Sequence, residues 1–204
     1  IVYDEGYNND VSTSGYYREH MDRMADRILA AVPDDEPIHY VEVGCGEADF
    51  LRLVGEKSGG RCVSATAFDP SFTGETNLPA NARVIKSFFG PDQLDLLPEE
   101  TNVICSRHTI EHVPDVQAFA VALSAPIDRL ERRLFVETPD ASWILKNGAF
   151  QDFFYEHCSI YTPDAIEQIL NAQGLSATTA AVYGAQYMWT EAQLATNEKP
   201  AKRK

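Results

Sequence analysis

Two of the five histidines stand out as candidates for proton transfer near neutral pH. His157 follows Tyr155 and Glu156, so this triplet could supply a base, a carboxylate that holds its tautomer and a phenol that binds substrate. A solvated turn is the open alternative. His112 either faces a substrate or caps the helix predicted after it, and both roles stay open.

A glycine-rich turn is the second chemical feature. Gly44 and Gly46 end an apolar run, and Asp69 ends the next run, where an acid can accept hydrogen bonds from both hydroxyls of a ribose. A plain turn and a loop acid are the alternative. Asp49 replaces the third glycine of a dinucleotide fingerprint, and Glu47 adds a second acid at the helix start. These charges disfavour a phosphate and tolerate a cationic ligand.

These residues need a scaffold that brings the ends of strands together. Apolar runs typical of strands cover 38–43, 61–68, 84–89, 102–106, 133–137, 177–182 and 186–192. Helical patterns cover 17–28, 49–57, 92–97, 116–123 and 164–171. This alternation predicts an α/β fold: a doubly wound, mostly parallel seven-stranded sheet with helices on both faces and an antiparallel C-terminal hairpin at one edge.

The domain organisation is predicted to be simple. Residues 1–196 form one domain, in which 1–33 are an N-terminal lid and helix, and 197–204 are a basic tail. Ser12 or Ser14 could cap the first helix, which Pro33 stops. Tyr7, in an aromatic stretch ahead of this helix, is a candidate lid residue over the substrate.

The amino-acid composition limits the kinds of molecule that the protein can bind. The chain has 31 Asp and Glu against 17 Lys and Arg, a formal net charge of −14, which argues against nucleic acid or an anionic membrane as a partner. The four cysteines form no C-x-x-C pair, and no carboxylate or histidine cluster with ligand spacing stands out, so no metal is predicted. No long apolar segment is present. We expect a cytoplasmic protein that acts on a small molecule.

The segment 42–46 resembles the E/D-x-G-x-G signature of class I (Rossmann-like) S-adenosylmethionine-dependent methyltransferases, and 106–115 resembles the family's segment after the fourth strand. The resemblance implies S-adenosylmethionine as cofactor, with aromatic residues near the adenine and a basic pair at the methionine end. It implies cofactor contacts at Glu42, Gly44, Cys45, Gly46, Asp69, Pro70, Phe88, Phe89, Arg107 and His108.

A partial resemblance to sugar C-methyltransferases rests on the Glu156-His157 pair and on Arg18-Glu19-His20. It implies His157 as general base and a sugar or another metabolite as acceptor. The function predicted from the sequence is therefore methyl transfer to carbon, oxygen or nitrogen of a small molecule. The alternatives are a catalytically degenerate binding protein, a nicotinamide-dependent oxidoreductase and a methyltransferase acting on a protein.

Overall fold

A computed structural model describes residues 14–74, 77–150, 153 and 156–196. Seven strands form one sheet with the order β3-β2-β1-β4-β5-β7-β6. The strands are β1 (Ile38–Val43), β2 (Cys62–Phe68), β3 (Ala82–Ile85), β4 (Val103–Arg107), β5 (Arg133–Pro139), β6 (Leu175–Val182) and β7 (Tyr187–Leu194). The first five are parallel, and β7 pairs antiparallel with both β5 and β6. The predicted sheet with its edge hairpin is confirmed.

The described residues form five α-helices around the sheet. They are α1 (Gly15–Ala30), α2 (Asp49–Lys57), α3 (Val116–Ser124), α4 (Ala141–Asn147) and α5 (Pro163–Asn171). The sequence did not predict α4, although Asp140 caps its first turn and Gly148, at a φ of 62°, ends it. The predicted helix at 92–97 is instead a 3-10 helix, Pro91–Leu96.

The third predicted strand was placed too late in the chain. Its pairing with β2 runs from Ala82 to Ile85, and the chain leaves the sheet before Phe88. The 84–89 prediction is therefore wrong at its end, because hydrophobic residues after a strand also serve the core. Phe89 is such a residue, since its ring packs on Phe68 of β2 with centroids 4.9 Å apart.

The core lies on both faces of the sheet. Side chains on β1 alternate, so that Ile38 and Tyr40 join a cluster with α1 and α2, while Val41 and Val43 join a cluster with α3 and α5. β1 is buried on both faces, and four of its six residues are hydrophobic, which is why the sequence identified it as a strand.

Helix α1 packs one stripe of side chains against the sheet. Tyr17, Met21, Met24 and Ile28 are buried at helical spacing. Of the two predicted caps, Ser14 accepts a hydrogen bond from the Tyr17 N–H at 3.4 Å, and Ser12 lies outside the described residues. In the part of the chain that the structure describes, no helix combines the length and apolarity needed to cross a membrane.

Candidate functional site

The strand order reverses between β1 and β4, which lie side by side at the middle of the sheet. Ligands of open α/β sheets bind at such a reversal, outside the carboxyl ends of the strands. The glycine turn that follows β1 and the segment 108–112 that follows β4 meet there. A Cβ added at Gly44 would overlap the Thr109 side chain, and Gly44 has a φ of 77°. Glycine is therefore required at this point by both packing and conformation.

Asp69 links the end of β2 to the glycine turn. Its Oδ2 accepts a hydrogen bond from the Gly46 N–H at 2.7 Å. Its Oδ1 accepts from the Ser71 N–H at 2.8 Å and from the Ser71 hydroxyl at 2.6 Å. The carboxylate is 8% exposed and held at one orientation beside the turn. Pro70, which follows it, is half-buried.

Glu42 lies buried beneath the same turn. Its Oε2 accepts a hydrogen bond from the Tyr40 hydroxyl at 3.3 Å. Burial raises the pKa of Glu42 to about 8, although the Arg107 charge and the Tyr40 hydroxyl lower it. Burial likewise raises the pKa of the Cys45 thiol, and the charges of Glu42 and Asp69 add to this effect. Cys45 is therefore a neutral thiol that packs in the core.

The two predicted adenine neighbours occupy different environments. The Phe88 side chain is 65% exposed just after β3, whereas Phe89 is buried against Phe68. Of these two rings, Phe88 is the one presented at the surface of the described structure. This exposed ring can stack on a planar ligand.

A buried charge network lies at the ends of β4 and β5. Glu137 accepts from Arg107 Nε at 3.0 Å and contacts ring nitrogens of His20 at 2.8 Å and His108 at 3.1 Å. Burial raises the pKa of Glu137, but the Arg107 charge and both histidine contacts hold it well below its usual range. The Arg107 guanidinium also donates to the Tyr17 hydroxyl at 3.2 Å. Arg107 therefore joins α1 to the sheet.

His108 belongs to this network as a cation. Burial lowers its pKa, but the carboxylates of Glu111 and Glu137 raise it to about 10. Its Nδ1 lies 3.7 Å from Glu111 and its Nε2 lies 3.1 Å from Glu137. An imidazolium carries no lone pair, so His108 cannot accept a proton near neutral pH. Its predicted place at the cofactor's methionine end is not tested by this pairing.

Histidines from two separate segments meet beside this network. The rings of His112 and His157 are edge to face with centroids 4.8 Å apart. His112 Nδ1 lies 3.2 Å from the main-chain oxygen of Glu156, and the Ser159 N–H donates to the main-chain oxygen of Glu111 at 3.2 Å. These bonds hold segment 156–159 against segment 111–112.

His112 does not cap the helix that follows it. The capping carboxylate of α3 belongs to Asp115, which accepts from the Ala118 N–H at 3.0 Å. Of the two roles predicted for His112, the structure therefore excludes the cap of helix α3. Of the predicted triplet, His157 and Glu156 are both half-buried, and Tyr155 lies outside the described residues, as does Tyr7.

The sequence pattern of the family described as "Methyltransferase domain" matches residues 17–180. The chain belongs to this methyltransferase domain family. The predicted class, the S-adenosylmethionine-dependent methyltransferases of class I, is confirmed by this match, and the prediction of an enzyme with it. Among curated proteins, none matches the chain.

Solved structures share the fold of this methyltransferase domain at low identity. Human N-acetylserotonin methyltransferase in complex with S-adenosylmethionine has 14% identity and a TM-score of 0.65 over 88% of this chain and 55% of that chain. A riboflavin-analogue dimethyltransferase of Streptomyces davawensis has 18% identity and a TM-score of 0.62 over 88% and 56%. An O-methyltransferase from neocarzinostatin biosynthesis has 14% identity and a TM-score of 0.61 over 88% and 57%. The methyltransferase domain thus spans just over half the length of these three relatives.

Sequence reasoning missed two acids of the methyltransferase domain. Glu137 lies inside an apolar strand and Glu111 inside a short 3-10 helix, and both side chains are buried. Buried carboxylates are rare unless they are paired, so an acid within an apolar run was the available signal for Glu137. For Glu111 the available signal was its place in segment 106–115, which resembles the family's segment after the fourth strand.

Proposed function

We propose that this methyltransferase domain moves the methyl group of S-adenosylmethionine to a small-molecule acceptor held at the carboxyl ends of β1, β4 and β5. One observation carries the proposal. The glycine turn, Asp69 and the His112–His157 pair lie at the carboxyl ends of the parallel strands, around the point where strand order reverses.

The cofactor's place follows from the turn. No atom lies within 4 Å of a Cβ added at Gly46, so the backbone is open to a ligand there, and the Asp69 carboxylate beside it can accept hydrogen bonds from ribose hydroxyls. Glu47 and Asp49 flank the start of α2, where they would repel a phosphate. A sulfonium carries a positive charge and no phosphate, so these acids favour S-adenosylmethionine.

The acceptor is proposed to be a metabolite that loses a proton as it is methylated. The related structures include enzymes named for O-methylation and for N,N-dimethylation of small molecules. The partial sequence resemblance adds nucleotide-linked sugars to the acceptors worth testing. We assign activation of the acceptor to the His112–His157 pair, with His157 as the group that takes up the proton.

Calorimetric titration with S-adenosylmethionine tests the cofactor site. We expect binding that Asp69→Asn weakens by about 10- to 100-fold, because the ribose hydroxyls lose an ionised acceptor. Asp92→Asn, at an exposed acid of the 3-10 helix, is the control and should bind like wild type. No binding to folded protein at about 1 mM cofactor would refute the proposal.

Methyl transfer into a panel of phenols, amines and nucleotide-linked sugars tests the catalytic assignment. His157→Ala should lower kcat by about 10²- to 10⁴-fold, because the acceptor keeps its proton, while the Kd for cofactor stays within about 2-fold. His39→Ala is the matched control, since His39 lies at the opposite end of β1 and contacts Ser64. An unchanged kcat in His157→Ala would contradict the assignment, and cofactor binding with no transfer to any acceptor would favour a binding protein.

A further inference from the structure

Three side chains from two segments that are far apart in the sequence converge beside the proposed cofactor turn. The ligand atoms of Glu111, His112 and His157 all lie within 4.8 Å of one another. Glu111 and His112 follow β4, whereas His157 comes from the connection after β5. We propose that these three side chains bind a divalent first-row transition-metal ion.

The ligand set fits such an ion. Imidazole nitrogens and carboxylate oxygens bind zinc and related divalent ions at about 2.0–2.2 Å, which places ligand atoms about 3–3.5 Å apart. The spacing in the structure is within about 1–2 Å of this value. The two histidines are half-buried, so a small rotation of either ring can close the site.

Each of two ligands is already oriented by a neighbour. His112 Nδ1 lies 3.2 Å from the Glu156 main-chain oxygen, which can only accept a hydrogen bond. A neutral His112 therefore carries its proton on Nδ1 and its basic lone pair on Nε2. The Thr138 hydroxyl donates to Glu111 Oε2 at 2.9 Å. Metal ligands in proteins are held by contacts of this kind.

The surrounding charges do not oppose a cation. Glu111 is 2% exposed, and its negative charge faces His108. The positive charges of Arg107 and His108 are matched by the negative charges of Glu137 and Glu111. These four charges sum to zero, and Glu111 is the anionic ligand that a divalent ion would meet beside two imidazoles.

The ion deepens the proposed function, and its role rests on that function. Three protein ligands leave at least one position open for water or substrate. An acceptor hydroxyl bound there loses its proton to water at lower pH, because the ion stabilises the oxyanion. The oxyanion attacks the methyl carbon, the carbon–sulfur bond breaks, and S-adenosylhomocysteine leaves as a neutral thioether. With the ion bound, His157 activates the acceptor as a metal ligand and water takes the proton, whereas in the ion-free protein His157 is the base proposed above.

Titration of the chelator-treated full chain with Co²⁺, followed by visible absorption, tests the site, and calorimetry with Zn²⁺ gives its stoichiometry. We expect one ion per chain with a Kd on the order of 1 µM, and His157→Ala or His112→Ala should weaken binding at least about 10-fold. His39→Ala should bind like wild type. Circular dichroism would establish that each variant is folded.

Cys158 provides the sharpest control, because it is exposed and adjacent to His157, and its thiol lies 3.4 Å from the His112 main-chain oxygen. Cys158→Ser should leave Co²⁺ binding unchanged. Loss of binding in Cys158→Ser, survival of binding in His157→Ala, or no binding at about 100 µM Co²⁺ would each overturn the inference. Neither metal titration contains cofactor, so failure here is separate from failure to bind S-adenosylmethionine.

Discussion

At the scale of single residues, we expect the buried carboxyl of Glu42 to couple binding of S-adenosylmethionine at the proposed site to pH. It lies under the glycine turn with a pKa near 8, raised by burial, and it accepts a hydrogen bond from Tyr40. A cation bound at the turn favours the ionised carboxyl, so its pKa falls and a proton is released on binding. Release of a proton makes binding stronger as pH rises toward 8.

The affinity for S-adenosylmethionine should therefore increase with pH. We expect Kd to fall by about 10-fold between roughly pH 6.5 and 8.5, since one pKa unit corresponds to a factor of ten. Calorimetry at several pH values, in buffers with different heats of ionisation, measures both the affinity and the protons released. In Glu42→Gln the affinity should be independent of pH over this range, and a slope equal to that of wild type would contradict the coupling.

At the scale of elements, the glycine turn is held by the segment that follows β4. The Thr109 hydroxyl donates to the Val43 main-chain oxygen at 3.2 Å, and the same side chain occupies the space that a Cβ on Gly44 would need. A substitution that moves the turn must therefore also displace the segment that carries Glu111 and His112.

Gly44→Ala should destabilise the fold by about 2–5 kcal/mol, because the strain of a positive φ adds to an overlap with Thr109. Urea unfolding measures the change. Gly59→Ala is the matched control, since Gly59 has a φ of 61° and no atom within 4 Å of an added Cβ. It should cost only about 1–2 kcal/mol. Equal costs for the two variants would show that Thr109 does not restrict the turn.

The contact between α1 and the strand ends depends on one carboxylate. Glu137→Gln leaves the buried Arg107 charge without its partner and should lower the free energy of unfolding by about 3–5 kcal/mol at pH 7. Because the pKa of Glu137 is lowered in the folded protein, its stabilisation is present above the ordinary value near 4.5 and is lost as pH falls through the folded pKa.

Urea unfolding of wild type and Glu137→Gln at pH 7, and then at a series of pH values from about 4.5 to about 2, checks both parts of this prediction, because the difference in stability between the two proteins should shrink as pH falls. Glu131→Gln, at an exposed acid in the turn before β5, is the control and should change stability by less than about 0.5 kcal/mol. If Glu137→Gln were as stable as wild type at pH 7, the network would not be holding α1 to the sheet.

At the scale of the whole molecule, charge limits the partners. The net charge is −14, and several cations are already paired with acids, such as Arg27 with Glu191 and Lys57 with Asp22 and Asp26. Affinity for nucleic acid requires cations that replace the counterions of phosphates. These pairs leave fewer cations for that role.

We expect no binding of a labelled DNA duplex at about 50 mM salt and up to about 100 µM protein, measured by fluorescence anisotropy. The physical reason is that an acidic surface repels a polyanion more strongly at low salt. Saturable binding that weakens with added salt would contradict this prediction, and nucleic acid would then have to be tested as a methyl acceptor.

The sequence by itself determined the sheet and the glycine turn after β1. Alternating apolar runs and helical stripes are local patterns, and the Gly44–Gly46 turn with Asp69 at the end of the next strand is a motif of adjacent segments. The sequence did not predict helix α4 or the exact end of β3. Both segments are short, and hydrophobic residues next to them also pack in the core, so the local pattern does not mark where these elements begin or end.

Only the tertiary structure brought Glu111 and His112 to His157, and His20 to Glu137. These groups belong to segments far apart in the chain, and their meeting depends on β4 lying beside β5 and on α1 packing across the strand ends. A local pattern specifies which residues form a strand, but it does not specify which strands become neighbours. For this reason the sequence predicted no metal site, whereas the fold brings together three side chains that we propose as ligands for one.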